Sequence, residues 1–460
     1  MKRVRRSANA SVSPARVAAF EILLRIDRED SYASELLHSS QYRELSSADH
    51  GLATEIVMGV LRWRSLLDSE LASAASQRLE KIDAEVLCAL RMGLYQLRFL
   101  GRMPVRAAIH ESVELVKRAR KRSAAGFVNA VLRKLSTKAG TWESLEHPSK
   151  LDPQSTDTIK EIGRRFAHPP WLVERWAEQY GAESAAKICS YDQQVPHTTI
   201  RPWNRETDQE LERLGIRVAP GALLTSARRV LSGDVTETRV FREGRLAIQD
   251  EASQLVAELV GGGKQILDCC AAPGGKTSIL ANRNSDANVI ATELHPHRVR
   301  LLHRLVRARN VRVVAADARQ LPFTAGFDRV LVDVPCSGTG TLARNPEIKW
   351  RIRPEDFEDL QARQIAILRS AVETILPGGK IVYSTCSLER EENIDVIQRV
   401  LQEDRSLRLL NAREELENLR EAGDLAWKSP ESLVSGGCLR TIPGVHPCDG
   451  FFAAILEKVA

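Results

Sequence analysis

Two cysteines stand where their chemistry could be used. Cys336 lies in Asp333-Val-Pro-Cys336-Ser-Gly-Thr-Gly340 and Cys386 in Tyr383-Ser-Thr-Cys386-Ser387, each just after an apolar run with strand character. Parallel strands of one sheet deliver the residues beyond their carboxyl ends to a common edge, where ligands bind. If the two runs are neighbours, both thiols and Asp333 open onto that edge, and a thiol so placed is a candidate nucleophile. The eight cysteines of the chain contain no CxxC pair, so neither a disulfide scaffold nor a metal centre is expected. Cys88, Cys189, Cys438 and Cys448 read as small buried apolar side chains.

A second group points to a nucleotide-like ligand. Cys270-Ala271-Ala272-Pro273-Gly274-Gly275-Lys276-Thr277 follows another apolar run. Its small residues allow close backbone approach, and the helix that follows offers free N–H groups. A phosphate-binding P-loop would need glycine where Cys270 stands, and the spaced glycines of nicotinamide enzymes are missing. Glu293 ends the next run, 19 residues beyond Gly274, where an acidic side chain can take both ribose hydroxyls. Asp317 ends the third and could accept from an adenine amino group, and Asp333 ends the fourth. Three carboxylates on successive strand ends beside a glycine loop predict an adenosine-bearing cofactor.

These residues need a sheet to hold them. Strands are expected at 265–270, 288–292, 311–316, 329–334 and 380–384, with helices at 276–283, 296–309, 355–376 and 390–403. That alternation predicts a parallel, doubly wound sheet covered on both faces. Upstream, the first 140 residues read as helices throughout. Ser13-Pro14 caps the first, and Leu52, Ile56, Val60, Trp63 and Leu67 form one buried stripe. Similar stripes are Val86–Leu97, Ile109–Val116 and Phe127–Leu135, which together predict a compact bundle. Ser136 to Asp157 reads as a linker. Residues 158–240 mix helix and strand signals, with a helix from Pro170, strands at 198–201 and after Gly233, and a helix at 206–214. The expected domains are therefore 1–140, 158–240 and 241–460.

With 460 residues, 43% hydrophobic and 27% charged, the chain is of ordinary globular composition. No stretch reaches the ~18 apolar residues of a membrane span, and the basic Met1–Arg6 is followed by no apolar segment, so an intracellular protein with no membrane partner is expected. The net charge of +6 is unevenly placed. Residues 1–140 hold 24 Lys and Arg against 15 Asp and Glu, while the remaining 320 hold 42 against 45. The excess peaks at Lys117, Arg118, Arg120, Lys121 and Arg122, which favours a polyanion such as RNA as partner.

The three motifs together resemble the RNA cytosine-5 methyltransferases that use S-adenosylmethionine. Asp268–Thr277, Asp333–Gly340 and Ser384–Ser387 match family motifs, and Arg344–Trp350 and Asp449–Ala453 also look like family sequence. Glu293 stands where relatives commonly have Asp, and Cys269 where they often have Leu. The helical N-terminal domain is similar to the NusB fold, an RNA-binding module. Across nearly the whole chain the resemblance is to the bacterial small-subunit ribosomal RNA branch, known as Sun, Fmu or RsmB.

That resemblance implies an all-α NusB-like bundle, a small α/β module and a Rossmann-like methyltransferase domain in the cytoplasm. It implies small-subunit ribosomal RNA as substrate, contacted by the basic domain and the catalytic cleft, with cytosine 967 of 16S RNA as target. S-adenosylmethionine is then the cofactor, held by Cys270–Lys276, Glu293, Asp317 and Asp333. A thiolate must add at C6 before cytosine C5 can attack a methyl sulfonium. The family gives that role to the position of Cys386, the release step to Cys336, and the pyrimidine edge at N3 and N4 to Asp333. An adenine amino-methylase is disfavoured because Asp333-Val-Pro-Cys336 lacks the expected aromatic. A nicotinamide dehydrogenase leaves the cysteines without a role. Methylation of another RNA, or an RNA-binding ribosome assembly factor without catalysis, are the alternatives.

Overall fold

The computed structural model describes residues 12–29, 31–137 and 156–459. Met1–Arg6 and most of the expected linker lie outside them. The described residues fall into two compact units. One runs to Gln194 and takes back Ala343–Arg351; the other is Val195–Leu342 with Ile352 onward.

The first unit is helical. Its main helices are Pro14–Arg28, Ser47–Arg62, Arg64–Ala74, Ala84–Phe99, Val105–Arg118 and Ala125–Ser136, followed by Thr156–Arg165, Pro170–Tyr180 and Ala182–Asp192. Ile22, Ile56, Leu67, Leu71, Leu90, Met92, Leu94 and Leu115 are fully buried at its centre. Helices close tightly at Gly59, where a Cβ would sit 1.9 Å from the Tyr95 ring. The first helix starts at Pro14 as expected, but Ser13 does not cap it. Its hydroxyl instead donates to Glu111 Oε2 (3.0 Å) and accepts from Arg16 Nη1 (2.8 Å).

The stripe from Leu52 to Leu67 is two helices, parted at Trp63 (φ −101°, ψ 13°). A period near 3.6 cannot tell one helix from two that abut, and here a distant segment ends the first. The last carbonyls of a helix have no partner within it. Lys349 Nζ donates to Arg62 O (2.9 Å) and Trp350 Nε1 to Leu61 O (2.6 Å), while Arg62 Nη2 reaches Ala343 O (2.9 Å). Arg344–Trp350, expected within the domain 241–460, thus folds as part of the helical unit.

The second unit begins with a four-stranded antiparallel sheet ordered β2-β3-β1-β4, made of β1 (Thr199–Pro202), β2 (Arg217–Pro220), β3 (Arg228–Ser232) and β4 (Leu246–Ile248). The segment 158–240 is therefore divided at Gln194, and its sheet is completed by β4, beyond 240. The strand expected after Gly233 is instead a short turn of helix, Val235–Glu237, and a second, Arg239–Arg242. Asp234 and Thr238 cap them, accepting from Thr236 N (2.9 Å) and Phe241 N (3.2 Å). Caps of this kind compete with strand formation.

The remaining strands are β5 (Gln265–Asp268), β6 (Asn288–Glu293), β7 (Val311–Ala315), β8 (Phe327–Asp333), β9 (Ile375–Thr385), β10 (Leu407–Leu410), β11 (Val434–Ser435), β12 (Cys438–Thr441) and β13 (Phe451–Lys458). They form one sheet ordered β11-β12-β13-β9-β8-β5-β6-β7, with β10 on β13. The stretch from β9 to β7 is parallel, as expected, and helices Gly275–Arg283, Pro296–Leu305 and Asp356–Thr374 lie between its strands in sequence. The strands from β10 onward pair antiparallel and extend it. The order reverses at β5, which has β6 on one side and β8 on the other; ligands bind outside such a switch point. No helix among the described residues is long and apolar enough to cross a membrane.

Candidate active site at the strand ends

A cleft opens where β5 and β8 end. The loop after β5 lines it with Cys270, Ala271, Ala272, Pro273, Gly275 and Lys276, and Asp333 closes it from the end of β8. Gly274 supports the turn: its φ is +112°, and a Cβ there would meet Val306 and Leu302 at 2.4 and 2.8 Å. Only glycine satisfies both conditions.

The lining also holds residues the sequence reading did not select: Asp268, Ile248, Gln249 and Ser253. Asp268 is buried, and burial pushes its carboxyl up to about 7, with Asp333 adding to the rise and Thr277 and Lys276 opposing it. Thr277 Oγ1 donates to its Oδ2 (2.7 Å), while Oδ1 is left without a well-formed hydrogen bond. Gln249 donates to Ser253 Oγ (2.6 Å), and its buried Oε1 has no partner among the described residues. Buried acceptors without donors are costly unless a ligand supplies them. The Gln249 oxygen and the buried Asp268 carboxyl beside a close-approach glycine loop fit a ligand carrying N–H donors and positive charge, as S-adenosylmethionine does.

The other two strand-end carboxylates are engaged elsewhere. Glu293 Oε1 accepts from His295 N (2.9 Å), ahead of the helix from Pro296, and Oε2 lies 3.7 Å from Arg298 Nη1. Asp317 accepts from Arg319 N (2.9 Å) and from its guanidinium (2.6–3.1 Å), which holds the carboxyl below the usual range. Neither lines the cleft. The strand-end position, which suits a ribose or adenine contact, equally suits a cap for the next turn.

The thiols do meet. In the β8–β9 register Asp333 pairs with Ser384, so the two following loops run side by side. Cys336 Sγ and Cys386 Sγ are 3.1 Å apart, and Cys386 N donates to Cys336 Sγ (3.3 Å). Ser384 Oγ donates to Asp333 Oδ1 (2.7 Å) and Lys276 Nζ to its Oδ2 (2.8 Å). The hydrogen bond with Cys386 and then burial push the Cys336 thiol well above its ordinary range. The protonated form of Cys336 is therefore favoured, and either sulfur can donate in the 3.1 Å contact. Cys88, Cys189, Cys269, Cys438 and Cys448 are buried.

The glycines of the second motif have a structural reason. Gly340 N donates to Cys386 O (2.9 Å) and Gly340 O accepts from Gly450 N (2.8 Å). A Cβ on Gly340 would lie 2.1 Å from Gly450 O. The Cys386 loop is held by a backbone contact that no side chain leaves room for, which also accounts for Asp449-Gly450.

Residues 260–457 match the family model for 16S rRNA methyltransferase RsmB/F, and residues 13–137 that of the NusB family. The chain is 33% identical to a probable ribosomal RNA small subunit methyltransferase B of Bacillus subtilis, over 96% of this chain and 98% of that one. It is 31% identical to ribosomal RNA small subunit methyltransferase B of Vibrio cholerae, over 96% and 97%. Among solved structures, PH0851 aligns with a TM-score of 0.77 over 97% of this chain and 99% of that one, at 23% identity. NSun6 from Pyrococcus horikoshii with SFG aligns with a TM-score of 0.53 over 64% and 98%, at 21% identity, so both bear on the fold. The chain belongs to the RsmB/F family of 16S ribosomal RNA methyltransferases.

Proposed function

We propose that this RNA methyltransferase acts on C5 of a cytosine in 16S ribosomal RNA, through a covalent bond between Cys386 and C6 of the base. The cofactor is S-adenosylmethionine, whose sulfonium supplies the methyl group. The observation that carries the reading is the 3.1 Å approach of Cys336 and Cys386 beside the Asp333 loop.

Cytosine C5 becomes a carbon nucleophile only once a thiolate has added at C6. Cys386 is the attacking group by the resemblance, and the raised range of the Cys336 thiol suits it to be the partner that keeps its proton. Asp333 takes the N3 and N4 edge, where charge develops as the ring is attacked. After methylation the C5 proton leaves to a base. Its bonding pair restores the C5–C6 double bond, the C6–S bond breaks, and the pair on sulfur returns to Cys386. Cys336 assists that expulsion. The base must be unstacked or already in a loop to reach the thiols.

In this reading Cys270–Lys276, Asp333, Glu293 and Asp317 hold the cofactor, with Asp268 and Gln249 added from the cleft lining. The helical domain, residues 1–140, and the cleft of the domain 241–460 both contact ribosomal RNA, with residues 158–240 between them, and the protein works in the cytoplasm. Within the basic cluster, Lys117 pairs with Glu114 and Lys121 with Asp83, while Arg120 and Arg122 have no ion pair among the described residues. Arg118 lies 4.0 Å from Glu21, so Arg120 and Arg122 are the phosphate contacts in this reading. The test is bisulfite sequencing of total RNA with and without the gene. One cytosine of 16S RNA, position 967 by the resemblance, should lose its protection. Loss at a transfer RNA cytosine instead would move the substrate, and no loss anywhere would remove the C5 assignment.

A further inference from the structure

A buried carboxylate lies behind the two thiols. Glu392, fully buried at the end of the turn Arg390–Glu392, receives four hydrogen bonds. Oε1 accepts from Ser337 N (2.8 Å) and Gln364 Nε2 (2.8 Å), and Oε2 from Ser337 Oγ and Ser387 Oγ (2.5 Å each). Four donors facing two oxygens is the complement of an acceptor-only carboxylate. Ser337 directly follows Cys336 and Ser387 directly follows Cys386, so one side chain grips both cysteine loops at the same relative position. The grip is reinforced on each side. Gln364, from the helix Asp356–Thr374, also donates to Pro335 O (3.0 Å), ahead of Cys336. Tyr383 Oη donates to the backbone O of Glu392 (2.6 Å), and Asn393 exchanges hydrogen bonds with Thr385 Oγ1 (2.5 Å) and Ser387 O (2.9 Å).

We infer that Glu392 is the positioning residue of the thiol pair: through Ser337 and Ser387 it fixes the approach of Cys336 to Cys386. It touches neither the residues lining the cofactor cleft nor the sulfur atoms, and acts only through the two serines. Its charge also adds to the upward push on the Cys336 thiol, after Cys386 itself and burial. The inference rests on the covalent reading for its catalytic consequence, but its geometric content does not.

The test uses the full chain with Glu392→Gln, and with Ser337→Ala and Ser387→Ala alone and together. The serine variants remove donors without adding one, so they decide the matter if Glu392→Gln, whose amide faces Ser337 N–H, does not fold. Two readouts are taken. In single-turnover methylation, kcat should fall about a hundredfold, the scale of a misplaced reacting group, while the S-adenosylmethionine Kd and the RNA KM stay within about twofold. The Glu392 and serine effects should be non-additive when combined. In iodoacetamide alkylation followed by peptide mapping, the wild type should lose Cys386 much faster than Cys336, and the variants should bring the two rates together. Unchanged alkylation selectivity with unchanged kcat overturns the inference. So does a loss of kcat that merely follows a loss of melting temperature and cofactor affinity. A wild type that alkylates selectively but methylates no RNA would sink the proposed function and leave the positioning role standing.

Discussion

Lys276 and Asp333 join the two halves of the site: the ammonium at the start of the helix Gly275–Arg283 lies 2.8 Å from the carboxylate that ends β8. One partner belongs to the loop that lines the cleft and the other to the strand end that leads to Cys336. With Ser384 on its second oxygen, Asp333 is held from both sides, by the cofactor loop and by the strand leading to Cys386. Lys276 also sits 5.1 Å over the ring of Phe451, from β13, which limits where the ammonium can go. The arrangement gives the Asp333 carboxylate a fixed orientation, which its proposed role at the pyrimidine edge requires.

The first prediction concerns Asp268. Its folded value of about 7 stands above the ordinary 3.8, so the folded protein binds this proton more tightly than the unfolded chain does. The stability it contributes is complete below the unfolded value and is lost as pH rises through about 7. Asp268→Asn cannot ionise, so its melting temperature should gain on wild type between about pH 4 and pH 7 and hold that gain above. Cofactor binding should show the opposite slope. A cationic ligand favours the ionised carboxylate, so S-adenosylmethionine affinity should rise with pH through about 7 in wild type and stay flat in the variant. Parallel binding curves for the two proteins would exclude Asp268 from the cofactor site.

The adenosine end of the cofactor gives a second. Glu293→Ala and Asp317→Ala should each weaken S-adenosylmethionine binding without unfolding the protein. One hydrogen bond to a charged group is worth about 1.5–3 kcal/mol, roughly tenfold to a hundredfold in affinity. Arg319→Ala sharpens the test, because it frees the carboxylate of Asp317 from its present partner. Affinity should then hold or rise. Calorimetry showing unchanged affinity in both carboxylate variants leaves Glu293 and Asp317 as caps and nothing more.

A third separates paired from unpaired basic residues. Arg120→Glu with Arg122→Glu should lower RNA affinity and flatten its dependence on salt, since fewer counterions are released on binding. Lys117→Glu with Lys121→Glu should flatten it less, because Glu114 and Asp83 already occupy those ammonium groups. Fluorescence anisotropy across a salt series measures both slopes. Equal slopes in all three proteins would make the cluster a solvated face.

Much of this site could be read from residue order, because strand-end positions are set by the alternation of apolar runs with loops. Cys336, Cys386, Asp333 and the 270–276 loop were found that way, and they meet. What the sequence could not distinguish was a carboxylate lining the cleft from one bonded to the next turn: Glu293 and Asp317 accept from His295 N and Arg319 N, whereas Asp268, the last residue of β5, lines the cleft. Gln249, just past β4, and Ser253, in the helix Glu251–Val260, line the cleft with no local pattern to mark them. The partition of helices at Trp63 was hidden for a related reason. It depends on Lys349 and Trp350, nearly 290 residues away in the chain.

The last prediction divides the two thiols. They are alike in type and both partly exposed, so a model without covalent chemistry expects their alanine variants to behave alike. The proposed scheme does not. Cys386→Ala removes the attacking sulfur, so neither adduct nor methylated product should form. Cys336→Ala leaves attack and methylation in place but removes the S–H that lies 3.1 Å from the Cys386 sulfur and assists its departure. A protein–RNA adduct should then accumulate and survive denaturing electrophoresis. It should require S-adenosylmethionine, because expulsion follows methylation, and it should vanish in the double variant. An adduct formed by Cys386→Ala instead would exchange the two roles, and full activity without adduct in both variants would end the covalent reading.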